Sequence, residues 1–248
     1  MKRVLVVWED RYFEALHGVL KSALGRREGA PGDLRGQLAA DTANTNSAFA
    51  RYVRETWPRV RAVGTPRDPR ALDHVVFVID GDAIHRLIPE TAKRPRTAAD
   101  VPRWHQQAET AWVRFLLSHA GPDVAPTSVH GVVLRWSRES VVLAGWDGLS
   151  ASAALDIDLD HDEVKKVLAA CDPNPARVAP AGFTDHFRAP LDCLNSLRRA
   201  RGIPALDKNA TDVDDALRAM ARSELPLLES RVPDIVRLAE RVQSLIEG

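Results

Sequence analysis

The sequence predicts an α/β protein with a central, mostly parallel sheet of strands flanked by helices, followed by a helical C-terminal section. Arg3–Trp8 and His74–Ile79 are apolar runs that do not alternate with polar residues, as is typical of strands buried on both faces. A helical pattern separates these two runs, and the order strand, helix, strand favours parallel pairing. From about Asp160 onward, the apolar spacing is helical throughout.

The segment between the two apolar runs predicts helices, a loop and a further strand. Phe13 to Leu24 have apolar residues at helical spacing, and Gly25 is a suitable stop. Residues 25–36 are rich in Gly, Arg and Pro and predict a loop. A second helix is expected over Ser47–Trp57, ending at Pro58 because proline breaks a helix interior, and Arg59–Val63 is read as a short strand.

The rest of the chain predicts one more strand and mostly helices. A long amphipathic helix follows Pro102 and ends at Gly121, and Val129–Trp136 is the next strand candidate. Further helices are expected at Glu163–Ala170, Phe183–Arg201, Val213–Arg222 and Val232–Ile246. We therefore divide the chain into an α/β core with a helical insertion, residues 1–150, and a helical section packed on it, residues 151–248.

The amino-acid composition indicates a globular protein and excludes several other classes. The 248 residues are 45% hydrophobic and 27% charged, the profile of a globular protein with a substantial core. Lys+Arg and Asp+Glu both number 34, so no global field directs the chain to nucleic acid or to a membrane. The two cysteines form no zinc-type pair, and no apolar run has the length of a secretory signal or a membrane span. We expect a cytoplasmic protein.

Acidic residues follow both strong strands at the point where each strand ends. Glu9 comes after the first strand, and Asp80 and Asp82 come after His74–Ile79 with Gly81 between them. The carboxyl ends of parallel strands meet at one edge of a sheet, where ligands bind. Three carboxylates brought together repel one another unless a cation or shared protons compensate. Oxygen ligands of this kind suit Mg²⁺ or Mn²⁺, which bridge to substrate phosphates.

Structural roles explain the same residues in a different way. Asp80 or Asp82 would serve equally as the cap of a following helix, and Glu9 as a first-turn acid favoured by the helix dipole. The histidines, among them His74, His85 and His105, form no recognised metal-binding spacing.

The arrangement of the three acids resembles the Toprim (topoisomerase–primase) domain, in which a first strand ends in Glu and a later apolar strand ends in Asp-x-Asp. The stretch from Arg138 to Ala144 is similar to the glutamate and apolar helix found downstream in Toprim-like proteins of bacterial defence loci, which are relatives of the OLD-type nucleases. The segment Leu206-Asp207-Lys208 resembles the late lysine segment of those proteins.

The resemblance implies specific roles for five residues. Glu9 would be a metal ligand or general acid/base, Asp80 and Asp82 metal ligands, Glu139 an outer carboxylate, and Lys208 a cation facing phosphate. Glu139 as an ordinary first-turn helix acid and Lys208 as a solvated loop residue are the alternatives. Two positions depart from the family pattern: Asp10 replaces its glycine, and Glu14 lies one residue later than its second acid.

Three functions are consistent with these observations. The first is a metal-dependent nuclease that cleaves DNA or RNA, implied by the resemblance to act in anti-phage defence with a separate ATPase, since the chain has no phosphate-binding G-x-x-x-x-G-K-[ST] motif. The second is a degenerate Toprim-like module that binds a partner protein or nucleic acid, which the departures at Asp10 and Glu14 favour. The third is a metal-dependent phosphotransferase or phosphatase. The oligomeric state is left open.

Overall fold

A computed structural model describes residues 1–9, 13–25, 34–43, 45–81, 84, 101–134, 141–142, 154–157, 162, 190–206, 211–223 and 225–248. Four strands lie in this part of the chain: β1 Val4–Trp8, β2 Leu38–Thr42, β3 His74–Asp80 and β4 Val129–Leu134. The helices are α1 Glu14–Leu24, α2 Asn46–Arg51, α3 Trp57–Val63, α4 Val101–Ser118, α5 Pro190–Ala200, α6 Asp212–Ser223, α7 Leu225–Arg231 and α8 Pro233–Glu247.

The four described strands form one sheet in the order β2-β1-β3-β4, and every pair is parallel. Val4 is paired with Leu38 of β2 on one side and with His74 of β3 on the other. All five side chains of β1 are buried, as expected for a central parallel strand. The α/β fold class predicted from the sequence, with helices around a parallel sheet and a helical C-terminal region, is confirmed.

The two faces of the sheet bury separate hydrophobic clusters. Even-numbered residues of β1 and β3, such as Val6 and Val76, pack against α1 and the C-terminal helices α6, α7 and α8. Odd-numbered residues, such as Leu5 and Phe77, pack against α2, α3 and α4. This alternation follows from the two-residue period of a strand, which sends neighbouring side chains to opposite faces. The helical C-terminal region therefore shares a core with the sheet.

Two predictions between β1 and β3 were wrong. Residues 59–63 are helical, because the chain runs from α2 through a π-helical segment, Tyr52–Thr56, into α3 without a break. Pro58 has no amide hydrogen to donate to a carbonyl one turn earlier, and the π turn, in which the Trp57 amide donates to the Tyr52 carbonyl, accommodates it. The second error is that no strand was predicted for Leu38–Thr42, which form β2.

The outer side of β4 is covered by side chains from both helical layers. The Val133 amide donates to Glu109 Oε1 of α4 at 3.2 Å, and the Val133 carbonyl accepts from Arg237 Nη2 of α8 at 2.6 Å. Arg237 and Glu109 also form an ion pair with each other. These side chains satisfy strand groups that would otherwise be open to pairing with another chain, and they join the two helical layers around the strand.

A network of arginines and carboxylates closes the amino edge of the sheet, defined here as the edge where the strands begin. The guanidinium of Arg3, whose side chain is 11% exposed, donates to the carbonyls of Arg70 and Ala71 at 2.7 and 3.0 Å and pairs with Asp68. Gly64 at the end of α3 has a φ of 77°, and a Cβ there would meet the Asp68 carbonyl oxygen at 2.2 Å. Only glycine fits this turn.

None of the described helices combines the length and apolar character needed to cross a bilayer.

Candidate functional site

The carboxyl edge of the sheet, where the strands end, brings Glu9 and Asp80 together. Glu9 directly follows β1, and Asp80 is the last residue of the adjacent strand β3. The Asp80 amide donates to Glu9 Oε2 at 2.9 Å, and the Glu9 amide donates to the Val78 carbonyl at 3.1 Å. The main chain of β3 therefore fixes the Glu9 carboxylate beside the end of β3. Both side chains are half-buried, so water and solutes can reach this point.

Glu9 and Asp80 lie at the ends of the two central strands of the sheet, β1 and β3. From the central strand β1, the chain passes to β2 on one side of the sheet, and β3 lies on the other side. The helix α1, which follows β1, and the helix α4, which lies between β3 and β4, pack on opposite faces of the sheet. Chain segments that leave in opposite directions open a crevice at the carboxyl ends of the two strands, and open α/β sheets bind ligands there. Glu9 and Asp80 lie at this switch point.

A third carboxylate, Asp41, lies near the end of β2 on the other side of β1. Its Oδ2 accepts a hydrogen bond of 2.6 Å from the Tyr52 hydroxyl, and its Oδ1 accepts one of 2.8 Å from the Thr42 amide. Burial raises the pKa of the Tyr52 phenol well above its usual range, and the hydrogen bond to Asp41 acts in the same direction. Tyr52 therefore stays protonated and donates to Asp41 at every physiological pH.

Sequence reasoning missed Asp41 and Tyr52 because it missed the strand that carries Asp41. The run Leu38-Ala39-Ala40 is short, contains no β-branched residue and resembles a loop or helix start as much as a strand. The available signal was spacing: β1 and β3 are separated by more than sixty residues, which leaves room for a second strand and its crossover helix.

A buried aromatic cluster lies below the end of β1. The Trp8 ring meets the His17 ring of α1 edge-on at 6.1 Å, and Phe13 meets His17 at 6.3 Å. Burial lowers the pKa of His17 to about 4, and the charge of Lys21 adds to the effect. His17 is thus a neutral core residue at neutral pH, and it packs β1 against α1 instead of serving as an acid or base at the edge.

The other residues predicted for the site fall elsewhere or are not described. Asp82, Glu139 and Lys208 lie outside the residues that the structure describes. His74 lies at the amino edge of the sheet, where β3 begins, and His105 packs against Asp234 of α8 at 3.4 Å. Within the described residues, no group of three or more His, Cys, Asp or Glu side chains could hold a metal ion.

The chemistry of Glu9 and Asp80 is compatible with Mg²⁺ or Mn²⁺. Both supply hard carboxylate oxygens at the ends of adjacent strands, and the Asp80 amide orients Glu9 Oε2. Magnesium usually takes one or two protein carboxylates and keeps several of its waters, so two adjacent acids are an adequate donor set.

A scan against protein-family models finds no matching family, and searches of curated proteins and of solved structures find no match either. The functional assignment therefore depends on the geometry of the carboxyl edge.

Proposed function

We propose that this chain is a Mg²⁺- or Mn²⁺-dependent nuclease of Toprim-like type, which hydrolyses phosphodiester bonds in DNA or RNA. The observation that supports the proposal is the contact between Glu9 and Asp80 at the switch point of a parallel sheet. The proposal also includes a role in anti-phage defence with a separate ATPase, which rests on the resemblance of the site acids to Toprim-like defence proteins.

The residues of this chain would contribute charge and orientation to the reaction. Glu9 and Asp80 would hold the ion, which supplies charge stabilisation to the phosphate and activates a water. The Asp80 amide keeps Glu9 Oε2 in a fixed direction, and the Glu9 carboxylate would act as metal ligand or proton acceptor. Asp82, Glu139 and Lys208 are proposed as the second aspartate ligand, an outer carboxylate and a phosphate-facing cation.

The experiment that tests this proposal is cleavage of supercoiled plasmid DNA and of total RNA by the purified full chain with Mg²⁺ or Mn²⁺. Wild type is compared with Glu9→Gln and Asp80→Asn, which remove charge while keeping shape. We expect cleavage by wild type, none with EDTA, and a loss of at least about 100-fold in each variant, or about 2.7 kcal/mol at the transition state. Asp82→Asn and Lys208→Ala extend the series.

Matched controls make the result specific to this edge. Glu55→Gln and Asp123→Asn make the same chemical changes at exposed positions of the π segment and of the loop before β4, and they should cleave like wild type. If both site variants keep wild-type cleavage, the activity belongs to a contaminant or to another site, and the proposal fails.

A second candidate is a module of the same fold that binds a partner protein or nucleic acid without cutting it. The observation that favours it is Asp10, which stands directly after Glu9 where the resembled family has glycine. Absence of cleavage with every metal tested, in the presence of the product of a neighbouring ATPase gene, together with retained binding to plasmid or RNA, would favour this candidate. Hydrolysis of small phosphate esters but not of polynucleotides would instead indicate a phosphatase.

A further inference from the structure

A pair of histidines lies on one face of the sheet at the amino edge, away from the carboxylates described above. His74 is the first residue of β3 and His130 the second of β4, and in the β3–β4 register His130 is opposite Val76. Both residues share the even-numbered face of their strands, which is covered by α8. His74 Nδ1 and His130 Nε2 are 3.2 Å apart, and the ring centroids are 5.2 Å apart.

We propose that His74 and His130 form a binding site for a late first-row transition-metal dication, with Zn²⁺ as the reference ion, separate from the carboxylate site. Two nitrogens bound to one tetrahedral zinc at about 2.05 Å lie about 3.3 Å from each other. The nitrogens of this pair are already at that spacing. An ion bound by both nitrogens lies off the line that joins them, so each ring turns to direct its lone pair at the ion while the register of the strands holds the two residues together.

Ion binding at this pair competes with a weak interaction. In the present arrangement, one ring donates a hydrogen bond to the other, and a single neutral hydrogen bond contributes little net stability. If the donor ring moves its proton to its other nitrogen, both facing nitrogens present lone pairs to the ion. No proton has to leave the pair, so neutral imidazoles serve directly as ligands.

The ring nitrogens of the pair favour a nitrogen-seeking ion over Mg²⁺. Both imidazoles interact with the main chain of Thr127, which restrains their orientation as outer-shell contacts do in metal sites. Both rings are half-buried, which leaves room for waters to complete the coordination. The charged groups around the pair are Lys2, Arg61, Asp73 and Arg241. Three cations and one carboxylate oppose every dication equally, so the preference for zinc, copper or nickel over Mg²⁺ comes from the imidazole nitrogens, whereas Mg²⁺ favours oxygen ligands.

Zinc titration of the full chain, with any histidine tag removed, tests the proposal by calorimetry. We expect one equivalent of Zn²⁺ to bind, with the same affinity in excess Mg²⁺, because the two ions take different sites. His74→Gln and His130→Asn should each raise the Kd at least about tenfold, since even outer-shell losses cost that much. His119→Gln, at the end of α4, is the matched control and should leave the Kd unchanged.

A spectroscopic measurement on the wild-type protein reports directly which histidines bind the ion. In ¹⁵N-histidine NMR spectra, Zn²⁺ should shift the ring nitrogens of two histidines together, and these signals should be those missing from the His74→Gln and His130→Asn spectra. Zn²⁺ should also raise the Tm of wild type but not of the variants. The proposal is overturned if wild type takes up no Zn²⁺, or if the shifted histidines are others.

Discussion

The two edges of the sheet handle charge in opposite ways. At the amino edge, the opposite charges of Arg3 and Asp68 form an ion pair. With the hydrogen bonds of Arg3 to two carbonyls, this pair connects the loop after α3 to the start of β1. At the carboxyl edge, Glu9 and Asp80 carry the same charge and lie side by side, and a main-chain amide donates to one of them. The amino edge uses charge to hold the fold together. The carboxyl edge brings two acids together at a crevice, an arrangement that suits a cation.

The largest effect on stability is expected at the amino edge. Replacing Arg3 by Met removes two hydrogen bonds to carbonyls and leaves Asp68 without the arginine that precedes β1, while the aliphatic volume is kept. We expect the free energy of unfolding, measured by urea denaturation, to fall by about 2–4 kcal/mol. Arg67→Met in the same loop, where the arginine side chain is 74% exposed, should change it by less than about 0.5 kcal/mol. Equal effects of the two changes would show that the Arg3 network does not stabilise the amino edge.

Acid should destabilise the fold in two pH windows. His130 and His74, whose pKa values burial lowers, contribute to the upper window, and so does His17. Because its pKa in the folded protein, about 4, is below its ordinary 6.5, folding keeps it neutral. Its contribution is therefore complete above pH 6.5 and is lost as the pH falls toward 4, by up to about 3 kcal/mol. A urea series from pH 7 to pH 4 should show this loss in wild type and a flatter curve in His17→Leu. His119→Gln should follow wild type.

The lower window belongs to Asp68. Hydrogen bonding by Arg70, with further help from Arg3, lowers the pKa of the Asp68 carboxyl below its ordinary 3.8. Its contribution is present above pH 3.8 and is lost as the pH falls below that value. Asp68→Asn should therefore flatten the stability curve only below about pH 4. A flattening between pH 6.5 and pH 4 would show that Asp68 is coupled to the histidines that titrate in that window.

The smallest effect is expected from relieving the like charges at the carboxyl edge. Glu9→Gln keeps an oxygen that can accept the hydrogen bond from the Asp80 amide but removes one charge beside Asp80. The free energy of unfolding at pH 7 without metal should rise by about 0.5–1 kcal/mol, even though cleavage is lost. Glu55→Gln at the exposed control position should give no gain. A loss above about 1 kcal/mol in Glu9→Gln would mark Glu9 as a structural cap.

The sequence by itself determined the fold class and the elements with strong patterns. Unbroken apolar runs identified β1 and β3, because a strand buried on both faces is apolar at every position. Helical spacing identified α1, α4, α6 and α8, because a helix buried along one face has apolar residues every three to four positions. The location of Glu9 and Asp80 at one edge followed from parallel topology alone, since strands that run the same way end on the same side.

Tertiary structure decided the features that depend on contacts between residues far apart in the sequence. The strand β2 is held by pairing with β1, not by its own propensity, so Asp41 and its contact with Tyr52 emerged only in the folded chain. The helix continues through Pro58 because a π turn absorbs the missing hydrogen bond. His74 and His130 come within 3.2 Å although 56 residues separate them, because strand register, which depends on every pair in the sheet, sets that distance.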